Sequence, residues 1–347
     1  MKTDQHLPIR PFLPPYLLER IAGSSDTRRR DRAYRTLHDD QGLRARAGTA
    51  ELPEGSSRRG EPVRHVHSAG HARELPGERV RSEGQPASGD PAVDEAYEGL
   101  GATYRLYWDV FQRHSLDDRG MALLATVHYG QEYENAFWDG RQMVFGDGDG
   151  ELFKRFTISL DIIAHELTHG VIQHEAALVY ADQAGALNES LADVFGSLVK
   201  QYRRGQDVES ADWLIGADLF TERVEGRALR SMAAPGTAYD DPLLGRDPQP
   251  GHMRDFVDTR DDNGGVHINS GIPNRAFHLA AMALGGNAWE AAGLVWYDTL
   301  VDERLARDSD FAAFAELTLD NAERRFGADG HVVRAVREAW REVGVLS

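Results

Sequence analysis

The chain contains no cysteine. Disulfides, thiolate metal sites and cysteine nucleophiles are therefore excluded together, and any metal must be held by His, Asp or Glu. No apolar run approaches the roughly 18 residues that a membrane-spanning helix needs. The opening MKTDQHLPIRPFLPPYLLERIAG lacks the continuous apolar core of a secretory signal, because prolines interrupt it. No G-x-S-x-G elbow is present for a serine hydrolase, and no Walker loop for phosphate. Positive charge is scarce as well: 39 Lys+Arg stand against 56 Asp+Glu, a net charge of -17. So acidic a chain is a poor general binder of nucleic acid.

What is present fits a soluble globular protein of two ordinary domains: 347 residues, 41% hydrophobic and 27% charged. Charge is uneven. Residues 1–90 hold 16 basic and 13 acidic side chains, and the remainder holds 23 and 43. The one basic cluster, Arg28-Arg29-Arg30-Asp31-Arg32, reads as a solvated segment or as a means of docking the N-terminal part on the acidic body.

Residues 1–50 carry one apolar patch, Pro14-Pro15-Tyr16-Leu17-Leu18, then a charged stretch of helical character. Residues 47–72 are rich in Gly, Ser, Arg and Pro and read as a linker. Asp90-Pro91 has the pattern of a helix start, N-cap then first turn, and apolar residues recur at helical spacing from Val93 to Phe111. Met121 to Tyr129 reads as a strand. Asn135 to Trp138 and Gln142 to Phe145 flank Asp139-Gly140 as a hairpin. Gly146-Asp147-Gly148-Asp149-Gly150 reads as a structural turn, since the Glu of an EF-hand loop is missing. From residue 158 the pattern is helical: Ile158–His174, Leu187–Tyr202, Pro273–Leu284, Ala288–Leu305, Phe311–Phe326 and His331–Val343. The expected fold class is α+β, β-rich first and α-rich after.

The chemistry sits in Asp161-Ile162-Ile163-Ala164-His165-Glu166-Leu167-Thr168-His169-Gly170, an H-E-x-x-H. Four residues make about one helical turn, so His165 and His169 share a face and reach one ion. Glu166 lies beside the first ligand, where its carboxylate can hold a water. Glu189, 20 residues after His169 on a second helical pattern, can complete a His, His, Glu shell with one open position. Asp193 is four residues further and can accept a hydrogen bond from the far nitrogen of a ligating imidazole. A third segment, Asp262-Asn263-Gly264-Gly265-Val266-His267-Ile268-Asn269-Ser270-Gly271, places a histidine in a glycine-marked turn before a helix start at Ser270 to Pro273.

These three segments resemble those of the thermolysin family of metallopeptidases; thermolysin is itself the standard example of a His2Glu zinc site. The resemblance runs over roughly residues 75–347. It includes Asn135-Ala136-Phe137-Trp138, the Gly146 to Gly150 turn, Gly185-Ala186-Leu187-Asn188-Glu189 and Leu229-Arg230-Ser231-Met232. The short leader with Pro14-Pro15-Tyr16, and Gly236 to Gly245, are similar to the protealysin-like branch. The resemblance implies a two-domain architecture with the zinc site in the cleft between a β-rich domain (51–174) and an α-helical domain (175–347), preceded by a removable leader (1–50). It implies Zn2+ on His165, His169 and Glu189, with Asp193 and Asn188 behind the ligands. It makes Glu166 the general base of a zinc-activated water and Tyr180 and His267 the oxyanion donors, with Asp262 orienting His267. Asn135 and Ala136 would bind substrate backbone by strand addition. Arg230 would contact a substrate carbonyl. Leu229, Ile162, Phe153 and Ile215 would form a pocket for a bulky apolar residue just after the cut bond.

One departure stands out. Lys200 occupies a position where relatives carry a Glu of a paired calcium site, and Ala217 replaces a second carboxylate, while Asp161 and Asp212 remain. An ammonium cannot ligate Ca2+, so loss of that site is expected. The remaining expectations are protein or peptide substrates, the leader as intramolecular inhibitor held across the cleft by Tyr16-Leu17-Leu18, no nucleic-acid or membrane partner, a monomer, and export by a non-classical route or residence in the cytoplasm. Competing readings are a metal-dependent hydrolase of another substrate and a non-catalytic peptide binder. The Asn135 edge strand favours peptide over other substrates, and the intact Glu166, Glu189, Tyr180 and His267 favour catalysis.

Overall fold

The computed structural model describes residues 10–46, 57–328 and 330–347. The chain opens with a two-residue strand β1 (Arg10–Pro11) and helices α1 (Pro15–Ala22) and α2 (Thr27–Arg46). Strands β2 (Arg64–Ser68) and β3 (Glu78–Ser82) follow, then the long helix α3 (Pro91–Phe111). Asp90 caps α3 as its neighbour Pro91 implied, its carboxylate accepting from Ala92 N and Val93 N at 2.9 and 3.4 Å. Strands β4 (Leu123–Val127), β5 (Ala136–Trp138) and β6 (Met143–Phe145) complete a six-stranded sheet of order β1-β5-β6-β4-β2-β3. β2, β4 and β6 run parallel to one another; β1, β5 and β3 are antiparallel to their neighbours.

β2 corrects the linker expected over residues 47–72, of which 47–56 lie outside the described residues. Its sequence, Arg-His-Val-His-Ser, buries only Val66 fully, so neither alternation nor β-branching announced it.

Helices α4 (Leu160–His174) and α5 (Asp182–Arg204) form the centre of the molecule. Every residue of α4 from Asp161 to Ile172 is buried, as befits a helix whose apolar residues run all round it. α5 ends at Gly205 in the left-handed conformation (φ 62°). The two helices touch closely at Gly196: a Cβ there would stand 2.7 Å from the Asp161 carbonyl and 3.5 Å from the His165 Cβ. Its missing side chain is what lets α5 bring Glu189 and Asp193 up to the histidines of α4.

Short two-stranded ribbons follow, β7 (Leu214–Ile215) with β8 (Arg230–Ser231) and β9 (Asp240–Asp241) with β10 (Gly245–Arg246). Helices α6 (Asp262–Asn269), α7 (Gly271–Leu284), α8 (Ala291–Leu300), α9 (Phe311–Phe326) and α10 (His331–Glu342) make the C-terminal bundle, where Trp296 and Trp340 stack at 5.9 Å. The architecture is α+β, a six-stranded mixed sheet in the first half and helices in the second.

Candidate active site

H-E-x-x-H on α4 and Asn188-Glu189 on α5 face each other across the Gly196 contact. His165 Nε2 lies 3.1 Å from His169 Nε2 and 3.4 Å from Glu189 Oε2, and His169 Nε2 lies 3.4 Å from Glu189 Oε1. A tetrahedral ion with ligand bonds of about 2.0 Å separates its ligand atoms by about 3.3 Å. The three buried side chains thus already sit at the edges of such a polyhedron, and Glu189 Oε2 has no hydrogen-bond partner to satisfy it otherwise. Burial opposes charge on His165, yet Asp193 and Glu189 raise it to about 9. The pocket is built for a cation, and a zinc ion fits the residues present.

The ring nitrogens pointing away from this centre are held from behind. His165 Nδ1 is 2.8 Å from Asp193 Oδ1, and His169 Nδ1 is 2.9 Å from Asn188 Oδ1. Such contacts set the tautomer that presents Nε2 to a metal. Asp193 is itself held by Arg230, through Nε and Nη2 at 2.8 Å each, and by Asn274 at 2.9 Å. Arg230 therefore serves Asp193. Its Nη1 is left without a partner, and its guanidinium lies 4.7 Å over the Phe12 ring.

Glu166 is fully buried and neither carboxylate oxygen has a regular hydrogen bond. Burial pushes its carboxyl well above the usual carboxylate range, Glu189 adding to this and His165 opposing it. An unsatisfied buried carboxyl is costly, and its place beside the histidines is where a base is needed.

Opposite stand Tyr180 and His267. Tyr180 OH donates to Glu189 Oε1 at 2.5 Å and lies 3.2 Å from His267 Nε2. Asp262 Oδ1 is 2.6 Å from His267 Nδ1, and Asp262 Oδ2 accepts from the His267 backbone N–H at 2.9 Å. Burial would discharge the His267 ring, but Asp262 holds it above the ordinary histidine value. His267 corrects an expectation: it lies in α6, not in a loop. Its first four residues, Asp262 to Gly265, are left-handed, with φ between 52° and 88°. The left-handed stretch that glycine permits turns the next helical turn, carrying His267, into the cleft.

Ala136 opens β5 and Asn135 immediately precedes it, and the partner laid along them is the chain's own N-terminal segment. Phe12 N donates to Ala136 O at 2.8 Å, Leu13 N donates to Asn135 Oδ1 at 2.8 Å, and β1 pairs with β5 through Arg10↔Trp138 and Pro11↔Phe137. The Pro11 carbonyl lies 3.2 Å from His267 Nε2. The Phe12 ring, fully buried, packs edge-on to His165 at 5.1 Å.

Phe12 was not singled out in the sequence. The segment crossing the cleft is Pro11–Leu13; Tyr16-Leu17-Leu18 follow on α1, with Leu17 and Leu18 fully buried in the main core. The missed signal was Pro11-Phe12-Leu13-Pro14: prolines favour an extended backbone, the form that pairs with an edge strand. Of the four apolar candidates, Leu229 and Ile162 converge with Phe12 around Gly216, and Ile215 precedes that glycine. Phe153 stacks on Phe156 and Phe220 at 6.2 and 5.9 Å, a core contact.

The N-terminal segment is also held by charge. Arg29 pairs with Glu151, and Arg32 reaches Asp149 at 2.7 Å, Glu151 at 2.9 Å and Glu134 at 3.6 Å. Docking on the acidic body is thus the role of Arg29 and Arg32. The other face of Asp149 accepts from Glu151 N, Leu152 N and Phe153 N, which makes the glycine-rich segment a structural turn. Lys200, almost fully buried, donates to Asp161 at 2.8 Å and to Leu214 O at 2.5 Å and pairs with Asp212 at 2.8 Å.

Two family profiles match the chain: "Thermolysin metallopeptidase, catalytic domain" over residues 46–173 and "Thermolysin metallopeptidase, alpha-helical domain" over residues 176–345. An extracellular metalloprotease of Pectobacterium carotovorum subsp. carotovorum is 55% identical over 338 residues, 97% of either chain. Protease PrtS of Photorhabdus sp. (strain Az29) is 50% identical over 341 residues, 96% of this chain and 91% of its own. The solved structure of the precursor of protealysin, a metalloproteinase from Serratia proteamaculans, superposes with a TM-score of 0.91 at 54% identity, covering 97% of this chain and 99% of that one. The chain belongs to the thermolysin family and is a thermolysin-like metalloendopeptidase.

Proposed function

We propose that this chain is the precursor of a zinc-dependent endopeptidase whose own leader, residues 1–50, occupies the substrate cleft until it is removed. The observation that carries the reading is the leader backbone on β5, with the Pro11 carbonyl at His267 and the Phe12 side chain beside Leu229 and Ile162. A peptide bond, Pro11–Phe12, thus lies where substrate would. The mature enzyme would comprise a β-rich part to residue 174 and an α-helical part from 175 onward, and would act as a monomer.

When bound to His165, His169 and Glu189, zinc supplies a Lewis acid and lowers the pKa of water at the site. Glu166 takes the proton of the attacking water and passes it to the leaving amine. Tyr180 and His267 donate to the oxygen of the tetrahedral intermediate, and Asp262 keeps His267 protonated and aimed. Asp193 and Asn188 position the ligand rings, and Arg230, anchored on Asp193, offers its free Nη1 to substrate. A large apolar side chain after the cut bond would take the place of Phe12, which supports preference for such residues. Chelation of the leader-free enzyme should abolish casein hydrolysis and added Zn2+ should restore it; activity undiminished by a strong chelator would overturn the reading.

Extracellular relatives support action outside the cell, and no helix among the described residues is long and apolar enough to cross a membrane. The paired calcium site is replaced by Lys200, whose ammonium takes the carboxylates of Asp161 and Asp212. Lys200→Ala should strand buried Asp161 and cost about 3–5 kcal/mol, a drop in Tm on the order of 10 °C for a chain of this size. Ca2+ should leave the wild-type Tm unchanged. A calcium-dependent rise in Tm that vanished on replacing Asp161 or Asp212 would sink this proposal.

A further inference from the structure

At the ends of the parallel strands, a second set of ligand-type side chains is brought together by the sheet's topology. β2, β4 and β6 are parallel, with Ser68 beside Val127 and Thr126 beside Val144. Residues just past their C-terminal ends are therefore neighbours in space, and the carboxyl ends of parallel strands are where open sheets bind ligands. His71 follows β2, His128 follows β4 and Asp147 follows β6. Their ligand atoms all lie within 4.8 Å of one another.

The spacing matches a metal polyhedron. His128 Nδ1 is 2.9 Å from Asp147 Oδ2, and His71 Nδ1 is 3.5 Å from the same oxygen. These edges bracket the 3.1–3.4 Å edges of the His165, His169, Glu189 set. The rear contact is repeated as well. His128 Nε2 is 3.0 Å from Asp90 Oδ2, as His165 Nδ1 is 2.8 Å from Asp193. A carboxylate behind the ligand ring fixes which nitrogen faces the ion. Asp90 is rigidly placed, because its other oxygen caps α3.

The backbone holds the two histidines together. His71 N donates to His128 O at 2.8 Å, and both residues adopt left-handed φ, 66° and 55°. Side chains adopt that region at a cost that functional sites repay. The His71 side chain is 59% exposed and His128 20%, so a fourth position is open to water. The local charge favours a cation: the carboxylates of Asp147 and Asp90 both face the His128 ring, at 2.9 and 3.0 Å. Nearby cations are Arg155, paired with Glu95, and Arg35 and Arg73 at the mouth, paired with Glu132 and Asp39.

We propose that His71, His128 and Asp147 form a second transition-metal site, with Asp90 as the carboxylate behind His128, that takes Zn2+ or a similar borderline divalent ion. Two imidazoles and one carboxylate suit zinc over Ca2+ or Mg2+, which want oxygen alone. The ion ties the loop after β2 to the turn after β6, two residues before the Asp149 that receives Arg32. It lies apart from the catalytic centre and acts on the rigidity of the sheet end.

The test uses the full chain carrying Glu166→Ala, so that it does not digest itself, dialysed against stepped concentrations of free Zn2+ and assayed for bound metal. Two zinc ions per chain are expected, the second binding more weakly. His71→Ala, a change at an exposed side chain, should return the count to one with an unchanged circular dichroism spectrum. Asp90→Asn keeps a good helix cap and should weaken the second ion about 10-fold or more, as loss of a rear carboxylate does. A single zinc in the parent chain, or two in the His71→Ala chain, would overturn the proposal. So would a further rise in Tm over the higher zinc range, where the second ion binds, that persists in His71→Ala.

Discussion

Full-length chain with Glu166→Ala keeps its leader on storage and hydrolyses neither casein nor a short apolar peptide, while its Tm stays close to that of the parent precursor. The two halves of this result have one cause. Glu166 is buried without a regular hydrogen bond, and burial raises its carboxyl, so its presence costs stability and is repaid only in the reaction. Removing it deletes an unsatisfied polar group and leaves a small void, two terms of opposite sign. Activity loses its general base, a contribution worth about 10²–10⁴-fold; we expect a fall of about a thousandfold in kcat. Mass spectrometry of the stored precursor and initial rates on the leader-free form check it. Leader removal at the wild-type rate by the purified variant would sink Glu166 as the base. A large fall in Tm would show instead that Glu166 serves the fold.

The second large effect is expected at Phe12. Leader peptide 1–50 added to leader-free enzyme should inhibit it, and Phe12→Ala in that peptide should weaken inhibition about 100-fold. Phe12 is fully buried against His165, Arg230 and the Leu229–Ile162 pocket. Truncating a buried phenylalanine costs about 3–5 kcal/mol, and each 1.4 kcal/mol is about tenfold in affinity. Arg29→Ala should cost roughly tenfold or less, because Arg29 and Glu151 are both partly exposed and solvent screens the pair. The order of the two effects is the test. Phe12→Ala equal to or milder than Arg29→Ala would mean that charge, not the pocket, holds the leader.

How much of this was legible in the sequence depends on the range of the interaction. The helical period put His165 and His169 on one face, and the same period put Glu189 and Asp193 together on the next helix. The N-cap at Asp90 and the hairpin around Asp139-Gly140 were legible for the same reason: the groups involved are neighbours along the chain. The residues behind the ligands were partly legible. Asp193 was expected to face an imidazole, but its hold on Arg230 was not, since 37 positions separate the two.

Three things escaped. β2 was taken for linker because its central place in the sheet comes from pairing with β3 and β4, not from its own apolar content. Tyr16-Leu17-Leu18 was expected to hold the leader on the body, but Phe12, the side chain that enters the cleft, was not singled out. An extended Pro-flanked segment can add to β5, whereas Tyr16 to Leu18 are coiled into the first turn of a helix and cannot pair in register with a strand. The His71, His128 and Asp147 cluster gave no motif, being spread over three strand ends.

By itself, then, the sequence determined the chemistry: H-E-x-x-H, Glu189 and the lack of cysteine leave a His, His, Glu metal centre with Glu166 beside it. Lys200 in place of an acid argued against calcium in the same way, since charge type needs no coordinates. Only the tertiary structure decided what fills the cleft and what the strand ends assemble. Those contacts join residues from tens to more than a hundred positions apart, such as His71 with Asp147 and Phe12 with Ala136, and they form because the whole chain packs, not because any local pattern calls for them.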